Sequence, residues 1–222
     1  MPLSAKYNFE NSALAVWFIS ETPEYLLQKL IIDDFIPFKN ERRNTHWLAA
    51  RLALQEVLPL VNFKIIKNLH GKPYLDNSDA HISISHSGNM AAAIYNSQNL
   101  CGIDLEKFDI RINKIVYKFA SENETNMLTH EFYNTFCCLI WSGKETIFKY
   151  SPLPEIDFKH HIELTKIDTQ KHLMSFCFKK NNNICLNVNF KIFEVEYFNI
   201  KEKGLLTDKL MNEKEHYILT WI

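Results

Sequence analysis

Apolar residues recur along this chain with two different periods. Ala13–Ile19 is an unbroken apolar run, short enough to predict a buried strand. Thr22-Pro23 then supplies a cap followed by proline at a first helical position. Trp47, Leu48, Leu52 and Leu58 fall on one side of a helix running from Asn40 to Leu58. Val61, Phe63 and Ile65 alternate and predict a strand, followed by turn chemistry at His70-Gly71-Lys72-Pro73. Ile82 and Ile84 alternate with Ser83 and Ser85, the pattern of a half-buried strand. Met90–Tyr95 and Leu100–Leu105 predict two more strands joined at Asn96–Gln98.

The period then changes. Ser121 and Glu124 make a capping-box pattern. Phe132, Phe136, Leu139, Ile140 and Phe148 run down a long helix that stops before Ser151-Pro152. Ile184, Leu186, Val188, Phe190 and Ile192 alternate without a break, and Tyr217, Leu219 and Trp221 alternate at the end. The order of elements predicts an α+β chain in two roughly equal halves, 1–105 and 106–222.

Composition narrows the classes. With 222 residues, 46% hydrophobic and 23% charged, the chain can bury a real core and is not a disordered one. A net charge of -1 excludes a global electrostatic sink for nucleic acid, so no nucleic-acid partner is expected. No apolar run is long enough to span a bilayer, which predicts no membrane partner. Five cysteines, an odd number with no C-x-x-C pair, read as reduced and mostly buried thiols. A soluble, cytoplasmic protein is expected.

Four clusters carry candidate chemistry. Asp104 and Glu106 lie two apart on a predicted strand, so both carboxylates leave on one face. Such a pair suits a hard cation such as Mg²⁺, although a solvated strand end has the same sequence. Trp141, Glu145 and Lys149 share a helix face at i, i+4 and i+8, beside Lys144. An ordinary surface Glu-to-Lys pair has that spacing too, but Cys137, Cys138 and Phe148 make this helix read as substantially buried. Ser83-Ile84-Ser85-His86-Ser87-Gly88 offers hydroxyl, imidazole and backbone donors to a phosphate. A Ser–His hydrolase fits poorly, because adjacent residues of a strand point apart and there is no G-x-S-x-G elbow. Arg42, Arg43 and Arg51 on or near the first long helix, with Lys72 downstream, could grip phosphate or simply be solvated.

Taken together, these residues resemble the 4'-phosphopantetheinyl transferase superfamily. Gly102-Ile103-Asp104-Leu105-Glu106 is similar to the family's Gly-Ile/Val-Asp-x-Glu strand. Trp141-Ser142-Gly143-Lys144-Glu145-Thr146-Ile147-Phe148-Lys149 is similar to its Trp/Phe-x-x-Lys-Glu-Ala/Ser-x-x-Lys helix. Gly71-Lys72-Pro73, Ile84-Ser85-His86-Ser87, Glu41-Arg42-Arg43 through Arg51, and Ser121-x-x-Glu124 match further family elements in order. The matches cover roughly residues 40–150, and the last third carries none. Each motif is weak alone; their order carries the resemblance.

The resemblance implies the larger monomeric branch, a pseudodimer of two similar α/β-sandwich halves. It implies Mg²⁺-dependent transfer of the 4'-phosphopantetheine arm of coenzyme A to a serine of an apo acyl or peptidyl carrier protein, releasing adenosine 3',5'-bisphosphate. Asp104, Glu106 and Glu145 would hold the metal. Glu145 would also be the base, directly or through a metal-bound water, Lys149 the cation at the pyrophosphate and Lys144 a second cation. Ser85 and His86 would meet the pyrophosphate or the 3'-phosphate, Arg43 and Arg51 the nucleotide phosphate, and Lys72 with Pro73 the adenine. An acidic carrier would dock on a basic or apolar patch, at Lys114–Lys118 or within Phe119–Phe132.

Three departures stand out: Cys101 in place of a branched aliphatic, Gly143 inside the helix at about 1 kcal/mol relative to alanine, and Pro152 and Pro154 where relatives carry glycines. The last of these keeps a second reading open, a catalytically weak coenzyme A or carrier-binding module of the same fold.

Overall fold

The computed structural model describes residues 3–31, 35–59, 63–196 and 199–222. The chain divides into two compact units, Met1–Leu105 and Glu106–Ile222. Both are mixed α+β, with antiparallel sheets.

The first unit opens with β1 (Leu3–Asn8) and β2 (Ser12–Phe18), followed by α1 (Pro23–Lys29) and α2 (Glu41–Val57). Thr22 and Asn40 cap the two helices, their side chains accepting from the Tyr25 and Arg43 amides. Leu58 leaves helical geometry ahead of Pro59, as the residue before proline must. A small hairpin follows, β3 (Ile65–Lys67) with β4 (Pro73–Leu75), then β5 (His81–Ser87) and β6 (Met90–Asn96). The main sheet runs β1-β2-β6-β5. α2 lies on β2 and β6, and the core between them is rich in small side chains: Ala49, Ala50 and Ala53 from the helix, Ala15, Ala91 and Ala93 from the strands. β7 (Ile103–Lys107) carries the division between the units.

The second unit begins with the end of β7, a 3-10 turn at Ile110–Ile115, and the short helices α3 (Val116–Phe119) and α4 (Glu122–Asn126). A second 3-10 turn, His130–Phe132, leads into α5 (Tyr133–Tyr150), and α6 (Phe158–His161) follows. The rest is β8 (Ile162–Asp168), β9 (Leu173–Phe178), β10 (Ile184–Glu196), β11 (Asn199–Lys203), α7 (Asp208–Glu213) and β12 (Glu215–Trp221). The sheet order is β7-β12-β10-β9-β8, with β11 also paired to β10. α5 lies against β12, β10 and β8. On the sheet side its partners are large: Met174, Phe176, Val188 and Phe190 are fully buried.

Several expectations change here. The strand expected over Leu100–Leu105 starts only at Ile103 and runs to Lys107. The strand expected at Val61, Phe63 and Ile65 is β3, beginning at Ile65; Val61 lies outside the described residues. The Ser121–Glu124 capping box is fully formed, as expected, and begins α4. Phe148 is 44% exposed, on the solvent side of α5. No helix among the described residues is long and apolar enough to cross a membrane. No disulfide links the five cysteines; Cys101, Cys137 and Cys138 are buried and Cys185 is exposed.

Candidate functional site

In the first unit the candidate residues fall into two groups. One lies where α2 begins. The β5–β6 hairpin turns through Gly88-Asn89, with Gly88 at φ 57°, a conformation that favours glycine. Two side chains of α2, one turn apart, hold this turn. Arg42 Nη2 donates to the Gly88 carbonyl at 3.4 Å, and His46 Nε2 sits 2.8 Å from the same oxygen. The His46 ring stacks on His86, centroids 4.5 Å apart. Arg42, His46, Gly88 and Asn89 line an open cavity of about 430 Å³. Arg43, exposed on the first turn, lies over the Phe38 ring at 4.2 Å. Glu41 lines the same cavity, so its charge is mixed: one guanidinium, one imidazole and one carboxylate.

Arg51 is elsewhere. It is 6% exposed, its guanidinium 3.3 Å from the Trp47 ring centroid and bonded to the Trp47 carbonyl. That packing makes it a buried brace of α2 rather than a surface grip. Lys72 and Pro73 follow the β3–β4 turn, whose shape is set by Asn68 Oδ1 accepting from the His70 and Lys72 amides. Burial lowers the Lys72 pKa below the ordinary lysine value, and neighbouring Cys101 would oppose this only if it were ionised. Burial likewise pushes the Cys101 thiol up to about 12, which keeps it protonated.

The other group sits on β5 and the start of β7. Asp104 is 1% exposed, and Ser85 Oγ donates to its Oδ1 at 3.0 Å. Ser85 is itself buried; it was expected to face phosphate, and instead it faces a carboxylate.

In the second unit, two motifs far apart in sequence meet. Trp141 Nε1 donates to Glu106 Oε1 at 3.2 Å, joining the end of β7 to the middle of α5. Trp141, Glu145 and Lys149 are all partly exposed, whereas Ser142, Gly143, Lys144, Thr146 and Ile147 are buried. The stripe at i, i+4 and i+8, together with Phe148, is thus the open side of a largely buried helix. Glu106, Asp109, Ile112, Cys138 and Trp141 line an open cavity of about 360 Å³ beside it.

Lys144 is a correction. It was expected as a second cation at the phosphates, and it is 0% exposed. Its ammonium donates to the Phe119 carbonyl at 2.7 Å, the Phe158 carbonyl at 2.9 Å and Glu124 Oε2 at 2.8 Å. An ammonium has three donors, and all three are spent on protein. Glu124 is equally buried; it also accepts from the Ser121 and Leu164 amides at 2.7 Å. Burial lowers the Lys144 pKa, and the Glu124 charge offsets this.

The pair has a structural consequence for the site. Phe119 and Phe158, whose carbonyls Lys144 gathers, place their rings 5.2 and 5.4 Å from Trp141. Lys144 therefore acts at one remove, holding the aromatic clamp that aims the Trp141 indole at Glu106. Two further residues join these groups: His46, which follows Arg42 by one helical turn, and Glu124, whose spacing from Ser121 is both a capping box and one of the family-like elements.

The Ser85 hydroxyl donates to Asp104 and the Trp141 indole to Glu106, and each bond orients a carboxylate. An all-oxygen set of this kind suits a hard divalent cation. Among the described residues, no three His, Cys, Asp or Glu side chains already converge as a metal centre. No model of a known protein family matches the chain, and no curated protein matches it significantly.

Proposed function

We propose that this chain transfers the 4'-phosphopantetheine arm of coenzyme A to a serine of an apo acyl or peptidyl carrier protein. The observation that supports the reading best is the Trp141–Glu106 bond, which ties the glutamate that ends the Gly-Ile-Asp-Leu-Glu motif to the open stripe of α5. In this reading Glu145 accepts the proton of the carrier serine as its oxygen bonds to the pantetheine-side phosphorus. The bond from that phosphorus to the bridging oxygen breaks, and adenosine 3',5'-bisphosphate leaves. Lys149, one turn beyond Glu145, offsets the charge that grows on the leaving group. The nucleotide end lies with His86, His46 and the arginines Arg42 and Arg43, while Lys72 and Pro73 border the base.

Mg²⁺, held by Asp104, Glu106 and Glu145, would neutralise pyrophosphate charge and orient the phosphorus. Lys144 stays outside the chemistry and maintains the clamp on Trp141. Arg51 likewise acts through the packing of α2.

Intact-mass spectrometry of apo carrier proteins incubated with this chain, coenzyme A and Mg²⁺ tests the reading. The expected result is a phosphopantetheine-sized gain that EDTA abolishes. No gain on acyl and peptidyl carriers, with no coenzyme A binding by the same sample, overturns it. Coenzyme A binding without transfer selects the weak binding module instead.

A further inference from the structure

Alternate residues of a strand send their amides to the same edge. On β7 the amides of Ile103 and Leu105 point one way, and each meets a serine hydroxyl of β5. Ile103 N donates to Ser83 Oγ and Leu105 N to Ser85 Oγ, both at 3.1 Å. Acceptors and donors are each spaced by two, so the hydroxyls keep step with the amides where a neighbouring strand would offer carbonyls. Both serines are buried, Ser83 to 4% and Ser85 to 7% exposure, and a buried hydroxyl must be bonded.

The two serines then differ in one respect. The Ser85 proton points to Asp104 Oδ1 at 3.0 Å. Leu105 amide, Ser85 hydroxyl and Asp104 carboxylate form a relay, in which an accepted bond makes the hydroxyl a stronger donor. A carboxylate 1% exposed at the end of such a relay is held by the backbone it sits on.

We propose that Ser85 is the positioning residue of Asp104, and that Ser83 supplies only the backbone half of the same device. The contact stands by itself; the task it gives Asp104, presenting a carboxylate to a divalent cation, rests on the transferase reading. Ser85 on this view does not bind phosphate, since its one proton is committed to Asp104.

The test uses the full chain, Mn²⁺ alone as probe by electron paramagnetic resonance, and amide exchange by NMR. Ser85→Ala should speed exchange of the Leu105 amide and weaken Mn²⁺ about 10–100-fold, the range for losing the partner of a metal-binding carboxylate. Measured at saturating metal, the KM for coenzyme A should stay within about twofold, because no direct phosphate contact is lost. Ser83→Ala should speed exchange at Ile103 and leave Mn²⁺ affinity unchanged. Ser85→Thr, which restores a hydroxyl, should restore the affinity. If Ser85→Ala does not fold, Ser85→Cys replaces it, with a weak donor in nearly the same volume. Equal loss of Mn²⁺ affinity in both serine variants, or none in either, overturns the assignment. So does a coenzyme A KM that rises while Mn²⁺ affinity holds, which would return Ser85 to the phosphate. Failure of the carrier assay with Mn²⁺ binding intact would strike the transferase reading and leave the Ser85 relay in place. A wild-type chain that holds no Mn²⁺ removes the task given to Asp104 and overturns the proposal even if transfer is seen.

Discussion

Each unit lays one long helix on an antiparallel sheet, 17 residues in α2 and 18 in α5, yet the two contacts are built on opposite principles. In the first unit small meets small: Ala49, Ala50 and Ala53 face strands that carry Ala15, Ala91 and Ala93. Such a surface is smooth, and little in it fixes how the helix is rotated. In the second unit a bare glycine meets an aromatic ring. A Cβ on Gly143 would come 2.6 Å from Phe176 Cζ and 3.0 Å from Met174 Cε. Polar groups add register there, with Ser142 and Thr146 both bonded to Thr220 of β12 and Lys144 bonded to Glu124. The helix that carries Glu145 and Lys149 is the one with these fixed contacts. α2 presents its candidate residues from its exposed first turns and is bonded to the Gly88 turn instead.

The largest break in this comparison is at Lys144. Lys144→Met leaves Glu124 buried and charged without its cation, a change that costs about 3–5 kcal/mol in comparable pairs. The midpoint of urea unfolding should fall accordingly. Removing the second charge as well, with Glu124→Gln, should recover part of the loss, since the uncompensated carboxylate is what costs most. A single variant as stable as wild type would mean the pair does not lock the helix.

Gly143→Ala is the next test. Overpacking costs about 1–3 kcal/mol, and alanine returns roughly 1 kcal/mol of helix propensity. The expected net is a loss of up to about 2 kcal/mol in urea unfolding, contrary to the usual gain from replacing a helical glycine. Phe176→Leu in the same chain should relieve it. A stabilised Gly143→Ala would show that the ring moves aside cheaply and that the glycine is no lock.

Much of this molecule is legible one residue at a time, where the signal is local. Thr22-Pro23, Asn40 and Ser121 through Glu124 cap helices as their chemistry demands, and the alternation from Ile184 to Ile192 is one long strand. What stays hidden depends on a partner far along the chain. Lys144 beside Glu145 reads as a surface cation until Glu124, twenty residues upstream, is found bonded to it. Gly143 reads as a weak point until Phe176 fills the space above it. Leu100 and Cys101 have the apolarity of a strand but precede β7, whose amides find partners only from Ile103, opposite Ser83. The site follows the same rule. The i, i+4, i+8 stripe of Trp141, Glu145 and Lys149 is written in the spacing, whereas the bond from Trp141 to Glu106 spans 35 residues and is not.

The smallest expected effect bears on polar register alone. Thr220 is fully buried; its hydroxyl donates to the Ser142 carbonyl at 3.0 Å and lies 2.6 Å from Thr146 Oγ1. Thr220→Val keeps the shape and deletes the hydroxyl. The loss should be about 1 kcal/mol, the scale of a hydrogen bond removed with its partners left dry. If the hydroxyls only satisfy one another, stability is all that changes. If they set the rotation of α5, the Trp141 indole signal in NMR should shift as well, because the bond to Glu106 depends on that rotation. Ala50→Gly on the smooth interface of the first unit should cost a similar amount, roughly 0.5–1 kcal/mol, without moving the indole. An unmoved Trp141 in Thr220→Val would assign the rotation of the second helix to Gly143 and Lys144 rather than to the Thr220 hydroxyl.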